Sequence, residues 1–173
     1  PGTLHPDLLQ PPFTALMVAP KGCEKSTTIL NMLYGTCRGG KKKRGEPSGN
    51  LFYRYHYSRL FVFSPTFKLD PKMNKKCRIS ESQVFEDPDV YEDIVTEILG
   101  AQQDDIEADG KAEDVLLIFD DCAGSKIFSQ KKSVFNKLAF NHRHYRVSLL
   151  ITTQSLRQIN PAFRENLSGI FIY

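Results

Sequence analysis

Residues 15–30 read ALMVAPKGCEKSTTIL: an apolar run, a short loop containing Pro20 and Gly22, and a helix-compatible stretch opening on Lys25-Ser26. No other segment constrains the fold as strongly, because strand, tight loop and helix start in that order are the layout of a phosphate-binding P-loop. In the G-x-x-x-x-G-K-[ST] pattern, loop N–H groups cradle the phosphates, the Lys reaches the β- and γ-phosphates and the hydroxyl ligates Mg²⁺. Gly22, Cys23, Glu24, Lys25, Ser26 and Thr27 are the candidate nucleotide-binding residues, with Lys25 also catalytic and Ser26 also a metal ligand. Two positions depart from the pattern, Ala19 at the first Gly and Glu24 at the second. A methyl is tolerated at the first wherever φ is negative. Glu24 is the larger departure, since it puts a Cβ where the backbone must approach the phosphates. Its carboxylate, about 6 Å from a phosphate charge, adds roughly 3 kcal/mol of repulsion at an effective dielectric of about 20. That corresponds to about a hundredfold in affinity. Weakened and abolished nucleotide binding both fit this loop, and taken alone it also reads as an ordinary strand-to-helix turn.

The 173 residues, 40% of them hydrophobic, suit one α/β domain over residues 1–173. The chain begins at Pro1 and ends in an apolar run, so it reads as a piece of a longer protein. Net charge is +3, yet residues 38–44, RGGKKKR, concentrate five basic side chains. Cys23, Cys37, Cys77 and Cys122 show neither C-x-x-C pairing nor ligand spacing, which points to reduced thiols in an intracellular compartment rather than zinc or disulfides. No apolar run reaches the ~18 residues a membrane span needs, and no secretory leader is evident.

Short apolar runs alternating with helical patterns predict a mostly parallel sheet flanked by helices. Strands are expected at 15–18, 60–64, 115–119, 147–152 and 170–173, with an ambiguous short strand within 80–85. Helices are expected at 26–34, 88–101 and 131–140, the second with Val90, Ile94, Ile98 and Leu99 on its buried face. Residues 102–114 are polar and read as a helix end followed by a solvated loop.

The strongest strand, VLLIF at 115–119, runs into Asp120-Asp121. Two carboxylates at the carboxyl end of a strand buried on both faces form a Walker B pattern, where ligands of open α/β sheets bind. Asp120 is the candidate Mg²⁺-shell residue and Asp121 the group that orients or deprotonates the attacking water. At 147–154, VSLLITTQ ends a further strand in Thr152, Thr153 and Gln154, and Gln154 is the candidate γ-phosphate sensor. Arg143 and Arg146, before that strand, are candidates for stabilising transition-state charge in a neighbouring subunit, and Arg157 and Arg164 after it for the same role or for DNA contact; a basic helix end is the plainer reading of the first two. His142 and His144 lack companion ligands for a metal role.

Lys25-Ser26, Ser64-Pro65 after the second strand, LLIFDD, Arg143-His-Tyr, Thr-Thr-Gln154 and Asn160-Pro-Ala-Phe-Arg164, in that order, resemble the poxvirus-type DNA-packaging ATPases of the FtsK–HerA superfamily, found in large DNA viruses, virophages and related elements. The likeness covers roughly residues 13–173. It implies a RecA-like, additional-strand (ASCE) P-loop core that uses ATP and Mg²⁺. It further implies a homo-oligomeric ring that drives double-stranded DNA into a preformed capsid, with capsid or portal-vertex proteins as further partners and a cytoplasmic, nuclear, viral-factory or virion location. Arg143 matches the family's Arg before the sensor strand. Residues 38–44 and the aromatic-basic run 53–59 are candidates for sequence-independent phosphate contact, although the tyrosines of that run more naturally pack on the sheet. The rival readings are a pseudo-ATPase of the same fold blocked by Glu24, an unrelated P-loop enzyme such as a nucleotide kinase, and a coat or scaffold protein that would leave three strand-end motifs unexplained.

Overall fold

The computed structural model describes residues 4–34, 53–122, 125–129 and 133–173. Six strands, β1 (Thr14–Val18), β2 (Arg59–Phe63), β3 (Val84–Phe85), β4 (Val115–Phe119), β5 (Val147–Thr153) and β6 (Gly169–Ile172), form one sheet in the order β3-β2-β4-β5-β1-β6. Every pairing is parallel. β5 lies between β1 and β4, with Val18 opposite Thr153 and Phe119 opposite Ile151. The loop strand and the Asp-Asp strand are thus separated by one additional strand, the topology of an additional-strand P-loop core.

All five residues of β4 and all seven of β5 are buried, because helices cover both faces of a parallel sheet. Alternation divides the core in two. Leu117 and Phe119 of β4 face α3 (Tyr91–Asp109), α5 (Val134–Asn141) and α6 (Pro161–Arg164), through Val95, Phe135 and Phe163. Leu116 and Ile118 point the other way, into the layer of α1 (Lys25–Tyr34) and α2 (Pro71–Lys76) with Ile29, Leu33 and Met73. Aromatic rings dominate the first layer: Phe63 stacks on Phe119 at 4.4 Å and 7°, and Phe135 meets Phe119 edge-on at 4.8 Å. A short α4 (Lys126–Ser129) lies between β4 and α5.

Two expectations change. The second long helix, α3, runs to Asp109 rather than ending near residue 101, closed by Gly110 in the left-handed region at φ 70°. The polar residues after 101 are largely its solvent face. Gln102, buried there, donates to the carbonyls of Glu113 (2.9 Å) and Tyr145 (2.8 Å). Its buried stripe is Tyr91, Val95, Leu99 and Gln102, turned from the expected Val90, Ile94, Ile98 and Leu99 because Tyr91 takes the central place against Phe63. α5 begins at Val134 after an extended Ser133, its first amide capped by Glu92 Oε1 of α3 at 2.9 Å, and the expected start at 131 lies outside the described residues.

The aromatic-basic run does not form a free phosphate-contacting stripe. Tyr53 and Tyr57 are buried, and the Tyr57 hydroxyl donates to Ser148 Oγ at 2.7 Å. His56 meets Asp114 at 3.0 Å, while Arg59 is held by Asp105 (3.0 Å) and Gln102 (2.8 Å). The run sits where β2 begins, at the end of the sheet opposite the P-loop. Residues 38–44 lie outside the described residues.

Phe135→Ala is expected to destabilise the fold by about 3–5 kcal/mol, read as a lower denaturation midpoint at unchanged m-value.

Candidate nucleotide site

The carboxyl ends of β1, β4 and β5 open on a cavity of about 530 Å³ lined by the loop residues Gly22, Glu24, Lys25, Ser26 and Thr27, by Asp120, Asp121 and Gln154, and by Thr66, Asp70 and Lys72 from the far wall. Residues from four separated stretches of sequence therefore meet on one surface. The loop turns through Gly22 at φ 89° and Glu24 at φ 52°. Both are left-handed, and for a residue with a Cβ that costs about 1–2 kcal/mol, so the second Gly position of the motif carries real backbone strain. Ala19 is not among the positive-φ residues and is buried, its N–H donating to Thr153 O at 3.0 Å. The first departure is accommodated.

The first intrahelical bond of α1 runs from Thr28 N–H to Glu24 O at 3.0 Å. The amides of Lys25, Ser26 and Thr27 precede it, so they project at the helix start toward the cavity, where an anion is favoured. Cys23 is exposed, with its N–H directed at Pro20 O at 3.4 Å. Lys25 folds over its own loop, Nζ donating to the carbonyls of Ala19 (2.9 Å) and Pro20 (3.1 Å). Three donors on a flexible stem can leave those carbonyls for a more strongly charged acceptor.

Asp120 is the most buried acid of the group, 4% exposed. Its Oδ1 accepts from Thr152 Oγ1 at 2.7 Å and its Oδ2 from Ser26 Oγ at 3.3 Å. Burial pushes its pKa up and the neighbouring Asp121 adds to this, while the Thr152 and Ser26 hydroxyls work in the opposite sense. A buried carboxylate beside a serine hydroxyl is a hard-oxygen pair that suits Mg²⁺, an ion usually held by one or two protein oxygens plus substrate phosphates. Among the described residues no group of three or more His, Cys, Asp or Glu gathers into an all-protein cage. Asp121 turns left-handed at φ 56°, its N–H donating to Thr152 Oγ1 at 3.0 Å. Gln154 Nε2 donates to Asp121 Oδ1 at 3.2 Å. Thr152 thus ties both acids to the sensor strand.

Of the sequence-predicted residues, Gly22, Glu24, Lys25, Ser26, Thr27, Asp120, Asp121 and Gln154 are brought together. Arg143 is not. It is exposed in the turn leading into β5, and the seven residues of that strand separate it from Thr153 by roughly 20 Å. Arg146, also in that turn, is paired with Asp114 at 2.9 Å. Arg157 and Arg164 follow β5 and do not line the cavity. Sequence reasoning missed Asp70 and Lys72 as wall residues. Asp-Pro-Lys at 70–72 is legible as a helix start, with Asp70 capping α2, but nothing local shows which way that start faces.

No family model and no curated protein matches this sequence. Solved structures share the fold. The cytoplasmic domain of EssC matches with a TM-score of 0.61 at 11% identity over 92% of this chain. EssC (ATPases 2 and 3) from Geobacillus thermodenitrificans gives 0.58 at 11% identity over 92%. EccC (ATPases 2 and 3) from Thermomonospora curvata, in complex with a signal sequence peptide, gives 0.56 at 14% over 98%. This chain spans only about a third of those chains, 32%, 32% and 33%. The six-stranded parallel sheet flanked by helices is therefore the fold of P-loop ATPase domains.

A carboxyl group with a raised folded-state pKa destabilises the fold once the pH exceeds its unfolded value, and the loss is complete above the folded value. Asp120→Asn is therefore expected to raise Tm at neutral pH by about 2–4 °C, the worth of ~1 kcal/mol at this chain length. The gap to the parent should close as the pH is lowered through the carboxylate range, which thermal unfolding of the two proteins side by side would read.

Proposed function

We propose that this chain binds ATP with Mg²⁺ and hydrolyses it, as the ATPase domain of an FtsK–HerA-type motor that moves double-stranded DNA into a viral capsid. The observation that carries the catalytic part is the convergence of Lys25, Ser26, Asp120, Asp121 and Gln154 on one cavity at the strand ends. Lys25 exchanges the Ala19 and Pro20 carbonyls for phosphate oxygens. Ser26 and Asp120 would hold Mg²⁺, which would supply charge neutralisation at the phosphates. Asp121, left-handed and aimed into the cavity, orients the attacking water and takes its proton. Gln154, bonded to Asp121, links that event to β5 and so to the sheet.

The DNA-moving part rests on the resemblance of the ordered motifs. The ring reading draws support from Arg143, an exposed arginine at the opposite end of β5 from its own cavity, which would serve a neighbouring copy's site and not its own. Capsid or portal-vertex proteins would then be the partners that hold the ring, and the virion or viral factory its place of work. That no described helix is long and apolar enough to cross a membrane is compatible with this reading.

A pseudo-ATPase is the second reading, favoured by one observation. Glu24 stands left-handed in the loop with its carboxylate on the cavity wall. Calorimetry with MgATP separates the two: binding by both the parent and Glu24→Gly supports the motor, and binding by Glu24→Gly alone supports the blocked loop.

For the motor, phosphate release should require Mg²⁺ and rise on addition of double-stranded DNA of any sequence, with the stimulation falling as salt is raised. Asp121→Asn keeps an acceptor for Gln154 but loses the base. It is expected to lower turnover by about 10²–10⁴-fold while leaving ATP affinity within about twofold. Undiminished turnover would remove Asp121 from the chemistry.

A further inference from the structure

Glu24 is the residue least suited to a phosphate loop, and a cation lies directly against it. Lys72 is the second residue of α2, whose start is fixed by Asp70: the Asp70 carboxylate accepts from Lys72 N–H at 2.8 Å and Met73 N–H at 3.3 Å, and Pro71 takes the first helical position. Met73, fully buried with Ile29 and Leu33 of α1, packs the short helix against the loop's own helix. The backbone at Lys72 is therefore set by a cap and by a core contact. From there Lys72 Nζ donates to Glu24 Oε1 at 3.0 Å and to Thr27 Oγ1 at 3.0 Å. All three side chains line the cavity that holds Lys25 and Ser26.

We propose that Lys72 is a positioning residue of the nucleotide site: it neutralises Glu24, so that a loop with an acid at its second glycine position still admits a triphosphate. The proposal rests on reading the cavity as an ATP site. A bare carboxylate on that wall repels a phosphate as one full charge does. With an ammonium 3.0 Å away the phosphate meets a short dipole instead, whose field falls off faster with distance. Folding does not account for the pair. Its members are 47% and 66% exposed, the range in which ion pairs contribute little to stability, and Glu24 sits in a left-handed conformation that costs at least as much as such a pair returns. The contact to Thr27 aims the ammonium at the first turn of α1, beside Ser26, where the phosphates are expected. Asp70, on the same wall, instead accepts from two backbone amides of α2.

The test is MgATP affinity by calorimetry for the parent chain, Lys72→Gln, Lys72→Arg, Glu24→Gln and the combined Glu24→Gln/Lys72→Gln protein. Gln at position 24 keeps the backbone strain and removes only the charge. Lys72→Gln should weaken MgATP about tenfold with little change in Tm. Lys72→Arg should stay within about twofold of the parent, and the combined protein should recover the affinity of Glu24→Gln. Recovery in the combined protein also demonstrates an intact site without Lys72. An equal loss on removing Lys72 in the Glu24→Gln background overturns the proposal, because Lys72 then acts on the phosphates directly. A Lys72→Gln affinity matching the parent's overturns it as well. Binding by Glu24→Gln but not by the parent overturns the neutralisation alone and leaves the ATP site standing. No binding by any of the five refutes the ATP-site reading itself.

Discussion

The insertion of β5 between β1 and β4 is the constraint from which the site follows. Parallel register sets Thr153 beside Val18 and Ile151 beside Phe119, which leaves Thr152 level with the point where β4 gives way to Asp120. A hydroxyl both donates and accepts, and Thr152 uses both capacities: it donates to Asp120 Oδ1 at 2.7 Å and accepts from Asp121 N–H at 3.0 Å. Valine would fill the same space in a strand otherwise rich in aliphatic residues. It would strand one oxygen of a buried carboxylate and one backbone amide, each at a cost of about 1–3 kcal/mol. That one side chain thus joins Asp120, which also meets Ser26, to the left-handed Asp121, whose carboxylate Gln154, just after the strand, reaches.

The site stores strain that the rest of the molecule offsets. Glu24 and Asp121 are two of the three non-glycine residues with positive φ among those described, and both face the cavity. Aspartate tolerates this region better than glutamate does, since its short side chain bonds locally. The buried carboxylate of Asp120 adds a desolvation cost. Against these stand two packed layers with few polar interruptions, including a run of rings from Phe63 through Phe119 and Phe135 to Phe163. Unfavourable local choices collected where strands end, beside a core that agrees with its sequence at nearly every position, mark a site kept for something other than stability.

How much of this was legible depended on whether the signal was local. Residues 115–119 matched β4 at both ends, because a strand buried on both faces is an unbroken apolar run with polar residues on either side. Lys25-Ser26 and Asp120-Asp121 were legible for the same reason, as short motifs at the ends of such runs. The length of α3 was not. Polarity after residue 101 was read as loop, when the face it belonged to was the solvent side of a helix whose inner side continues through the buried Gln102. That the tyrosines of the aromatic-basic run pack on the sheet was legible, but the partner of Tyr57, Ser148, 91 residues away, was not. Lys72 was invisible as a site residue for a related reason: its contact with Glu24 spans 48 residues and exists only because Met73 packs α2 on α1. Composition and period report which face is buried, not what a neighbouring element brings to the other face.

Charge around the cavity bears on why such a site would work in company. Its charged lining is Lys21, Lys25 and Lys72 against Glu24, Asp70, Asp120 and Asp121, one more negative group than positive. Pairing Glu24 with Lys72 cancels one charge of each sign, which leaves two lysines facing the two catalytic carboxylates and Asp70, whose charge the α2 amides stabilise without removing. Mg²⁺ would balance the two catalytic carboxylates and leave the charge of a triphosphate only partly met. The cavity lining offers charge developing at the reacting phosphate no cation beyond Lys21, Lys25 and Lys72. Phosphoryl-transfer sites meet that need with an arginine, supplied in cis or from a neighbouring molecule. Here the exposed arginine that the motif order singles out, Arg143, stands at the far end of β5, with the whole strand between it and its own cavity. A strand hydrogen-bonded to neighbours on both sides cannot bend back by roughly 20 Å. Any site that Arg143 completes is therefore that of another copy, which is what the proposed ring would supply.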